Sequence, residues 1–381
     1  MTFVDSPQSN YTLGGESHLT QVGRYELGQL LGVGGMAEVY KATHTLPGGG
    51  RRTVVVKRIL QVLSRNDAFT RLFVAEAQVL GLLHHPNVVQ AHDFGESDGT
   101  LFLVLEYVEG PSVSTALLGL RAAGQRMPPV AAAHFASEVC RALEYVHGLK
   151  GGDGEALNII HRDVTPSNIV LTMSGGIKLL DFGVAKYRAS QARTLEGTIK
   201  GKAAYVAPET LEGKPIDHRV DISSLGIVLH EMLTLQSLFE SENQALTFRK
   251  ILELPIAPPS KSRPAIPPEL DAIVMKALER DPQQRYATAS AMADDLDRFL
   301  ADNGLRMDHI ASFVQGLHER TAKADAQSTS PLHPRIAAPA VAPPRRAEPV
   351  TTRFLGGRLG RLLFGGPRAS RSESRTRKPR G

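Results

Sequence analysis

The sequence predicts an α+β fold in which a small β-rich part with one helix precedes a larger, mainly helical part. Residues 25–107 hold short apolar or alternating segments separated by glycine-containing breaks, which is typical of a sheet of about five strands. Beyond Gly110 the spacing of apolar residues changes to that of helices. The chain has 381 residues, of which 42% are hydrophobic, so it can bury a large core.

The β-rich part is predicted to contain five strands and one amphipathic helix. The strands cover residues 25–31, 37–43, 53–58, 88–94 and 101–107. The helix, Asp67 to His85, repeats apolar residues at the i, i+3 and i+4 positions. Glu76 falls on this apolar stripe, and Lys57 ends a buried β-branched strand. Because a buried charge is costly unless it is paired, the two side chains predict an ion pair, although a strand-end lysine can also extend its ammonium group to solvent.

The second part is predicted to be mainly helical. A helix from Pro129 to Leu149 begins with proline, and residues 221–235 are apolar nearly all round, as in a helix buried through the middle of a domain. Two short strands lie between these helices, and further helices follow. The strands are Ile169–Leu171 and Ile177–Leu180, and the further helices fall in residues 266–301, with a break at Asp281-Pro282, and in residues 305–320.

The two ends of the chain differ in composition from the part between them. Residues 1–24 predict a flexible leader, and residues 321–381, rich in Ala, Pro and Arg, predict a disordered basic tail. Residues 301–381 carry 15 Lys and Arg against 6 Asp and Glu, so the net charge of +5 belongs to the tail and does not indicate a nucleic-acid-binding fold. Residues 353–364 fit either a basic amphipathic segment for a membrane surface or acidic partner, or a solvated tail whose glycines oppose a helix.

Cysteine content and hydropathy favour a cytoplasmic location. Cys140 is the only cysteine, so the chain forms no internal disulfide and suits a reducing compartment. No apolar run reaches the ~18 residues of a membrane span, and residues 1–20 lack the basic and apolar regions of a secretory signal.

Three motifs carry the chemistry. Residues 31–40, LGVGGMAEVY, form a glycine-rich turn in which Gly32 and Gly34 let backbone amides approach phosphate oxygens and Val39 can cover a base. Taken alone, such a turn is also a common strand connection. Residues 161–168 spell HRDVTPSN, and residues 181–183 spell DFG directly after a predicted strand.

These motifs, with HPNVVQ at 85–90, LFLVLEYVEG at 101–110 and APE at 207–209, resemble in content and order those of bacterial eukaryotic-like (Hanks-type) serine/threonine protein kinases. The resemblance implies the bilobal protein kinase fold over residues 25–300, with an N-lobe at 25–105, a C-lobe at 106–300 and a helical extension at 301–320. It also implies transfer of the ATP γ-phosphoryl group to Ser or Thr hydroxyls of proteins in bacterial signal transduction, with Mg²⁺ as cofactor. A nucleotide-binding pseudokinase scaffold is the alternative.

Carried over residue by residue, the resemblance gives each motif a role. Asp163 would accept or orient the proton of the substrate hydroxyl, and Asn168 and Asp181 would hold Mg²⁺. Lys57, fixed by Glu76, would reach the α- and β-phosphates. The implied nucleotide-binding residues are Gly32, Val33, Gly34, Val39, Val55, Lys57, Glu76, Glu106, Val108 and Val170, of which Glu106 and Val108 offer backbone groups to adenine.

Three further positions match the family pattern. Arg285 stands where the family pairs an arginine with Glu209, and Asp221 stands where it has the aspartate that braces the HRD backbone. Asp221 could also cap its own helix. Pro166 favours Ser and Thr over Tyr as the acceptor residue.

Four positions depart from the pattern. Ala37 stands at the third glycine of the loop, and Val55 replaces the usual alanine beside adenine. Thr165 stands where Ser/Thr kinases usually have a lysine, and Lys202 where they have a threonine. Hydroxyl and amine have thus exchanged places, and we expect Lys202 to supply the γ-phosphate contact and Thr165 the hydroxyl. Independent drift of the two positions, giving a slow enzyme, is the alternative.

Regulation is implied by Arg162, which in the family belongs to a basic pocket that docks a phosphorylated activation loop. That loop corresponds to residues 184–206, where Ser190, Thr194 and Thr198 are candidate acceptors for autophosphorylation. The implied partners are protein substrates, including the chain itself, and no specific nucleic acid.

Overall fold

The computed structural model describes residues 21–182 and 201–327, with side chains as far as residue 322. The first part of the chain forms a six-stranded antiparallel sheet. The strands are β1 (Gln21–Val22), β2 (Tyr25–Val33), β3 (Ala37–Thr45), β4 (Arg51–Ile59), β5 (Ala91–Ser97) and β6 (Thr100–Glu106), in the spatial order β1-β2-β3-β4-β6-β5. The five predicted strands are all present. The additional strand, β1, lies in the stretch predicted as a flexible leader, where Val22 is buried against the sheet beside Tyr25.

The two faces of the sheet differ, because side chains alternate along a strand. Val54 and Val56 of β4 are buried in a small apolar cluster on one face. Lys57 projects from the other face. The register sets Gly32, Val39 and Lys57 opposite one another across β2, β3 and β4, so the glycine-rich turn and the lysine share this second face.

Helix α1 (Asp67–Leu82) brings Glu76 to that face. The side chain of Asn66 caps the helix by accepting a hydrogen bond from the amide two residues further on, at 3.0 Å. The helix ends at Leu82 rather than at the predicted His85, because the backbone is already extended at Leu83, with φ −92° and ψ 124°. Pro86 also disfavours helical backbone at His85.

The second part is mainly helical, with one short hairpin. Helix α5, the predicted central helix, is buried at every residue from Val220 to Thr234 and ends where Leu235 adopts a left-handed φ of 60°. It packs against α3 and α7, and α3 packs against α8. The helices are α2 (Val113–Ala122), α3 (Pro129–His147), α4 (Pro208–Leu211), α5 (Arg219–Thr234), α6 (Gln244–Glu253), α7 (Pro268–Ala277), α8 (Ala289–Asp302) and α9 (Met307–Gln327), and the hairpin consists of β7 (Ile169–Leu171) and β8 (Ile177–Leu179).

Helix α9 continues the helical part beyond the length predicted for it. Ile310, Val314 and Leu317 lie on one face and are buried in the main core. This face packs on α2, and the turn of the β7-β8 hairpin lies against its start, where a Cβ added to Gly175 would meet the Ala311 amide at 3.0 Å.

No helix within residues 21–182 and 201–327 is both long enough and apolar enough to span a membrane. The basic run at 353–364 and most of the predicted leader lie outside the described residues.

Candidate active site

A buried lysine held between two carboxylates forms the first part of the site. Lys57 Nζ donates to Glu76 Oε1 at 2.6 Å and to Asp181 Oδ1 at 3.0 Å, and Glu76 is only 3% exposed. Burial alone would lower the pKa of Lys57, but the negative charges of Asp181 and Glu76 outweigh it and raise this pKa above its ordinary value. The ammonium group therefore stays charged. The predicted Lys57–Glu76 pair is confirmed, whereas the direct contact with Asp181 has no counterpart in the sequence prediction.

The second part is the loop that carries Asp163. A single 3-10 turn, Pro166–Asn168, folds the loop back so that Asn168 Nδ2 donates to Asp163 Oδ2 at 2.7 Å and to the Asp163 carbonyl oxygen at 2.9 Å. Lys202 Nζ, from a segment 39 residues further along, donates to the same Oδ2 at 2.9 Å. The hydroxyl of Thr165 lies 3.0 Å from that of Ser167. The structure thus places Lys202 beside Asp163 as expected, while the hydroxyl of Thr165 contacts Ser167.

Asp221 of α5 holds the backbone of this loop. Its carboxylate accepts the amide hydrogens of His161 and Arg162, each at 2.8 Å, and lies 2.8 Å from His147 Nε2. Arg162 has a φ of 64°, a left-handed conformation that costs a non-glycine residue free energy and that these bonds stabilise. The predicted bracing role is confirmed. The capping alternative is wrong, because His218, three residues earlier, is the N-cap residue.

The charge of Asp221 is also stabilised by its surroundings. Burial alone would raise the pKa of its carboxyl, but the hydrogen bond and charge of His147 and the Arg162 amide together hold the pKa below its usual value. The carboxylate is therefore ionised at neutral pH. Sequence reasoning missed His147, since nothing in its local pattern separates it from an ordinary helix-end histidine.

His161 links the loop to the residue before Asp181. Its Nδ1 accepts the amide hydrogen of Asp163 at 3.2 Å, and its Nε2 lies 2.8 Å from the carbonyl oxygen of Leu180. Burial lowers the pKa of His161, so the ring is neutral and carries its hydrogen on Nε2, which donates to Leu180. The ring also packs on Phe182 at a centroid distance of 4.5 Å. The loop that carries Asp163 and the segment that carries Asp181 are thereby tied together.

The glycine-rich turn and its neighbours line the β-sheet side of the site. Gly34 N–H donates to the Ala37 carbonyl oxygen at 2.8 Å, so this amide is used within the turn and does not face a phosphate. Gly32 has open space where a Cβ would be, and Val33 is exposed. Val39 on β3 and Val55 on β4 are half-buried, and Val170 is buried on β7.

The segment after β6, predicted to contact adenine, is fixed by side chains that the sequence did not reveal. The amide of Glu106 donates to the Gln90 carbonyl oxygen at 2.9 Å, and Glu106 Oε1 accepts from the Gln90 amide at 2.8 Å and from Lys178 Nζ at 2.6 Å. The residues that follow, Tyr107 and Val108, are half-buried. Lys41 of β3 reaches over the ring of Tyr107, with Nζ 4.5 Å from the ring centre.

The residues expected to hold Mg²⁺ offer suitable ligand atoms. Asn168 uses its Nδ2 group for both contacts with Asp163, which leaves its amide oxygen as the ligating atom. Asp181 offers a carboxylate that is 41% exposed. Oxygen ligands from one or two side chains, completed by phosphate oxygens and water, are what Mg²⁺ prefers, so these two residues fit the ion.

A bidentate ion pair anchors the segment that begins at Gly201. Both oxygens of Glu209 accept from Arg285, at 2.6 and 2.8 Å, and the Arg285 side chain is fully buried. Tyr205 donates its hydroxyl hydrogen to Glu231 at 2.5 Å. The predicted Glu209–Arg285 pair is therefore confirmed. The candidate phosphorylation sites Ser190, Thr194 and Thr198 lie outside the described residues.

Comparison of the sequence with known proteins identifies similar proteins, and they are protein kinases. The sequence profile of the family described as "Protein kinase domain" matches residues 25–296. The chain is similar to tyrosine-protein kinase MasK of Myxococcus xanthus, with 38% identity over 75% of this chain and 44% of that protein. It is 35% identical to serine/threonine-protein kinase PknH of Mycobacterium tuberculosis, over 84% of this chain and 48% of that protein. It is 38% identical to serine/threonine-protein kinase PknB of Mycobacterium leprae, over 72% of this chain and 43% of that protein. The chain thus spans less than half the length of these curated relatives.

Proposed function

Because the chain belongs to the protein kinase family, we propose that it transfers the γ-phosphoryl group of ATP to Ser or Thr hydroxyls of proteins. Family membership also confirms the predicted α+β, bilobal fold. The observation that carries the proposal is the assembly of two charged groups in one site. Lys57, paired with Glu76 and Asp181, lies on one side, and Asp163, paired with Asn168 and Lys202, lies on the other.

The first group binds the nucleotide. The ammonium of Lys57 is desolvated and permanently charged, and it neutralises phosphate oxygens of ATP. Val39 and Val55 cover the base, and the backbone at Glu106 and Val108 positions adenine. Asn168 and Asp181 would hold Mg²⁺, which would neutralise charge on the phosphates.

The second group acts on the acceptor. Asp163 accepts a hydrogen bond from the substrate hydroxyl and aims its oxygen at the γ-phosphorus. As the new P–O bond forms, the bond from the γ-phosphorus to the bridging oxygen breaks, ADP leaves, and the hydroxyl proton passes to the Asp163 carboxylate, which later loses it to water. Asn168 Nδ2 and Asp221 keep the carboxylate and its loop in place during this step.

Ser and Thr are the proposed acceptor residues. Pro166, three residues after Asp163, supports this choice, as do the names of PknH and PknB. The name of MasK, a tyrosine kinase, makes the acceptor residue worth measuring directly.

The proposed organisation follows the predicted boundaries, with the kinase domain at residues 25–300. The substrates include the chain itself, with autophosphorylation in the segment at 184–206. We place the protein in the cytoplasm, where ATP is available. The basic tail makes weak contacts with an acidic partner or membrane surface.

The proposal is tested with the purified chain, Mg²⁺ and γ-labelled ATP, beside an Asp163→Asn variant. We expect label on the chain or on a generic protein substrate, its loss in the variant, and phosphoserine or phosphothreonine after acid hydrolysis. Nucleotide binding by the wild type without any transfer would instead identify a pseudokinase scaffold. Label found only on tyrosine would overturn the choice of acceptor.

A further inference from the structure

We infer that Lys202 is a catalytic residue whose ammonium group contacts the transferred phosphoryl group on the side of the acceptor hydroxyl. This inference rests on the proposed kinase function and names a further residue of the same site. Lys202 Nζ lies 2.9 Å from Asp163 Oδ2. The Asp163 side chain is 6% exposed and that of Lys202 is 37% exposed, so the lysine closes one side of a buried carboxylate and meets open space on the other.

The distances place this ammonium near the reacting atoms. The acceptor oxygen must lie within about 3 Å of the Asp163 carboxylate to donate its hydrogen bond. It must also lie about 3–3.5 Å from the phosphorus that it attacks. A cation hydrogen-bonded to this carboxylate is therefore within reach of the phosphoryl oxygens, over which negative charge is spread in the transition state.

Within the part of the chain that the structure describes, the other lysine of the site is held on the nucleotide side. Lys57 is fixed between Glu76 and Asp181, on the nucleotide side. The residues that connect Asp163 to Asn168, numbers 164–167, are Val, Thr, Pro and Ser, and none of them carries a positive charge. Lys202 supplies a cation on the acceptor side from a different part of the chain.

The backbone that carries Lys202 is held by the C-lobe and not by the Asp163 loop. Lys202 begins a short 3-10 turn, Lys202–Tyr205, in which the two alanines are buried. Ser224 of α5 donates its hydroxyl hydrogen to the Tyr205 carbonyl oxygen at 2.8 Å, and the Tyr205 hydroxyl donates to Glu231 of the same helix. Contacts with α5 therefore position the turn from which the Lys202 ammonium reaches Asp163.

Three substitutions in the full chain distinguish two roles for Lys202: a positive charge that contacts the phosphoryl group, and a hydrogen bond that only orients Asp163. We expect Lys202→Met and Lys202→Gln each to lower kcat about 100-fold, the scale of losing one transition-state contact, while the KM for ATP changes by less than about 3-fold. Lys202→Arg, which keeps the charge, should recover at least about 10-fold over the Met variant. A Gln variant with near-wild-type kcat would overturn the inference, since Gln can still donate to Asp163, and so would a Met variant within about 5-fold of wild type.

Lys214→Met is the matched control, because it removes the same charge from an exposed lysine that pairs with Glu212. It should leave kcat within about 2-fold of wild type, since exposed pairs contribute little. Urea denaturation of each variant shows whether the fold is kept. Absence of transfer by the wild type would refute the proposed function itself, whereas an active wild type with an equally active Met variant would refute only the role of Lys202.

Discussion

Replacing Glu209 by Gln should lower the free energy of unfolding by about 3 kcal/mol. The Arg285 guanidinium is fully buried and donates to both carboxylate oxygens, so Gln would remove the compensating charge and set an NH₂ group against an arginine N–H. Breaking a buried pair by removing one partner costs ~3–5 kcal/mol. The lower end applies because Arg285 also donates to the backbone carbonyls of Glu279, Arg280 and Arg219. The unfolding equilibrium constant should therefore rise about 150-fold.

Urea unfolding followed by far-ultraviolet circular dichroism measures this change. Glu253→Gln is the control, because Glu253 lies 4.0 Å from Arg249 in a pair whose side chains are about 70% exposed, and its loss should cost less than about 0.5 kcal/mol. The double variant Glu209→Gln with Arg285→Met should lose less than the sum of the single changes, since it leaves no unpaired charge. Equal midpoints and slopes for Glu209→Gln and Glu253→Gln would refute the reasoning.

Two further predictions concern Asp221 and Cys140. Asp221→Asn should lower kcat at least about 10-fold by loosening the loop. Because the pKa of this buried Asp is held low, the extra stability of wild type over the Asn variant should be equal at pH 7 and pH 5 and should shrink only below the ordinary Asp pKa of 3.8. Denaturation of both proteins at each pH measures this difference. Burial raises the pKa of the Cys140 thiol, so Ellman's reagent at pH 8 should label one thiol per chain only after denaturation, and rapid labelling of the native chain would contradict this assignment.

The sequence revealed those parts of the site in which a charged residue occupies a position that the apolar pattern predicts to be buried. Lys57 at the end of an apolar strand and Glu76 on an apolar helix stripe are each costly alone, so each indicates a partner. The pairing of Glu209 with Arg285 and the bracing by Asp221 came instead from resemblance, because both join residues more than 50 positions apart. Helix α5 was predictable from composition alone, since residues 221–235 are apolar nearly all round.

The parts that the sequence did not reveal depend on tertiary packing. Lys178 and Glu106 have the charges of ordinary strand residues, and only the placement of β8 beside β6 and Gln90 brings them together. The same holds for His147, whose role depends on the packing of α3 against α5, which brings its ring to Asp221. The end of α1 was misplaced by three residues because the apolar periodicity continues to Leu83, whereas the backbone of Leu83 is already extended.

Helix α9 determines where the C-terminal boundary of an expressed fragment should lie. The family match ends at residue 296, but Ile310, Val314 and Leu317 complete the core beyond it. A fragment that stopped at the family boundary would expose the apolar side of α2 to water, at a cost of roughly 1.5–3 kcal/mol for each large side chain left uncovered. The natural unit for crystallisation or for a minimal active enzyme therefore includes α9 at least as far as Leu317, the last of these buried residues.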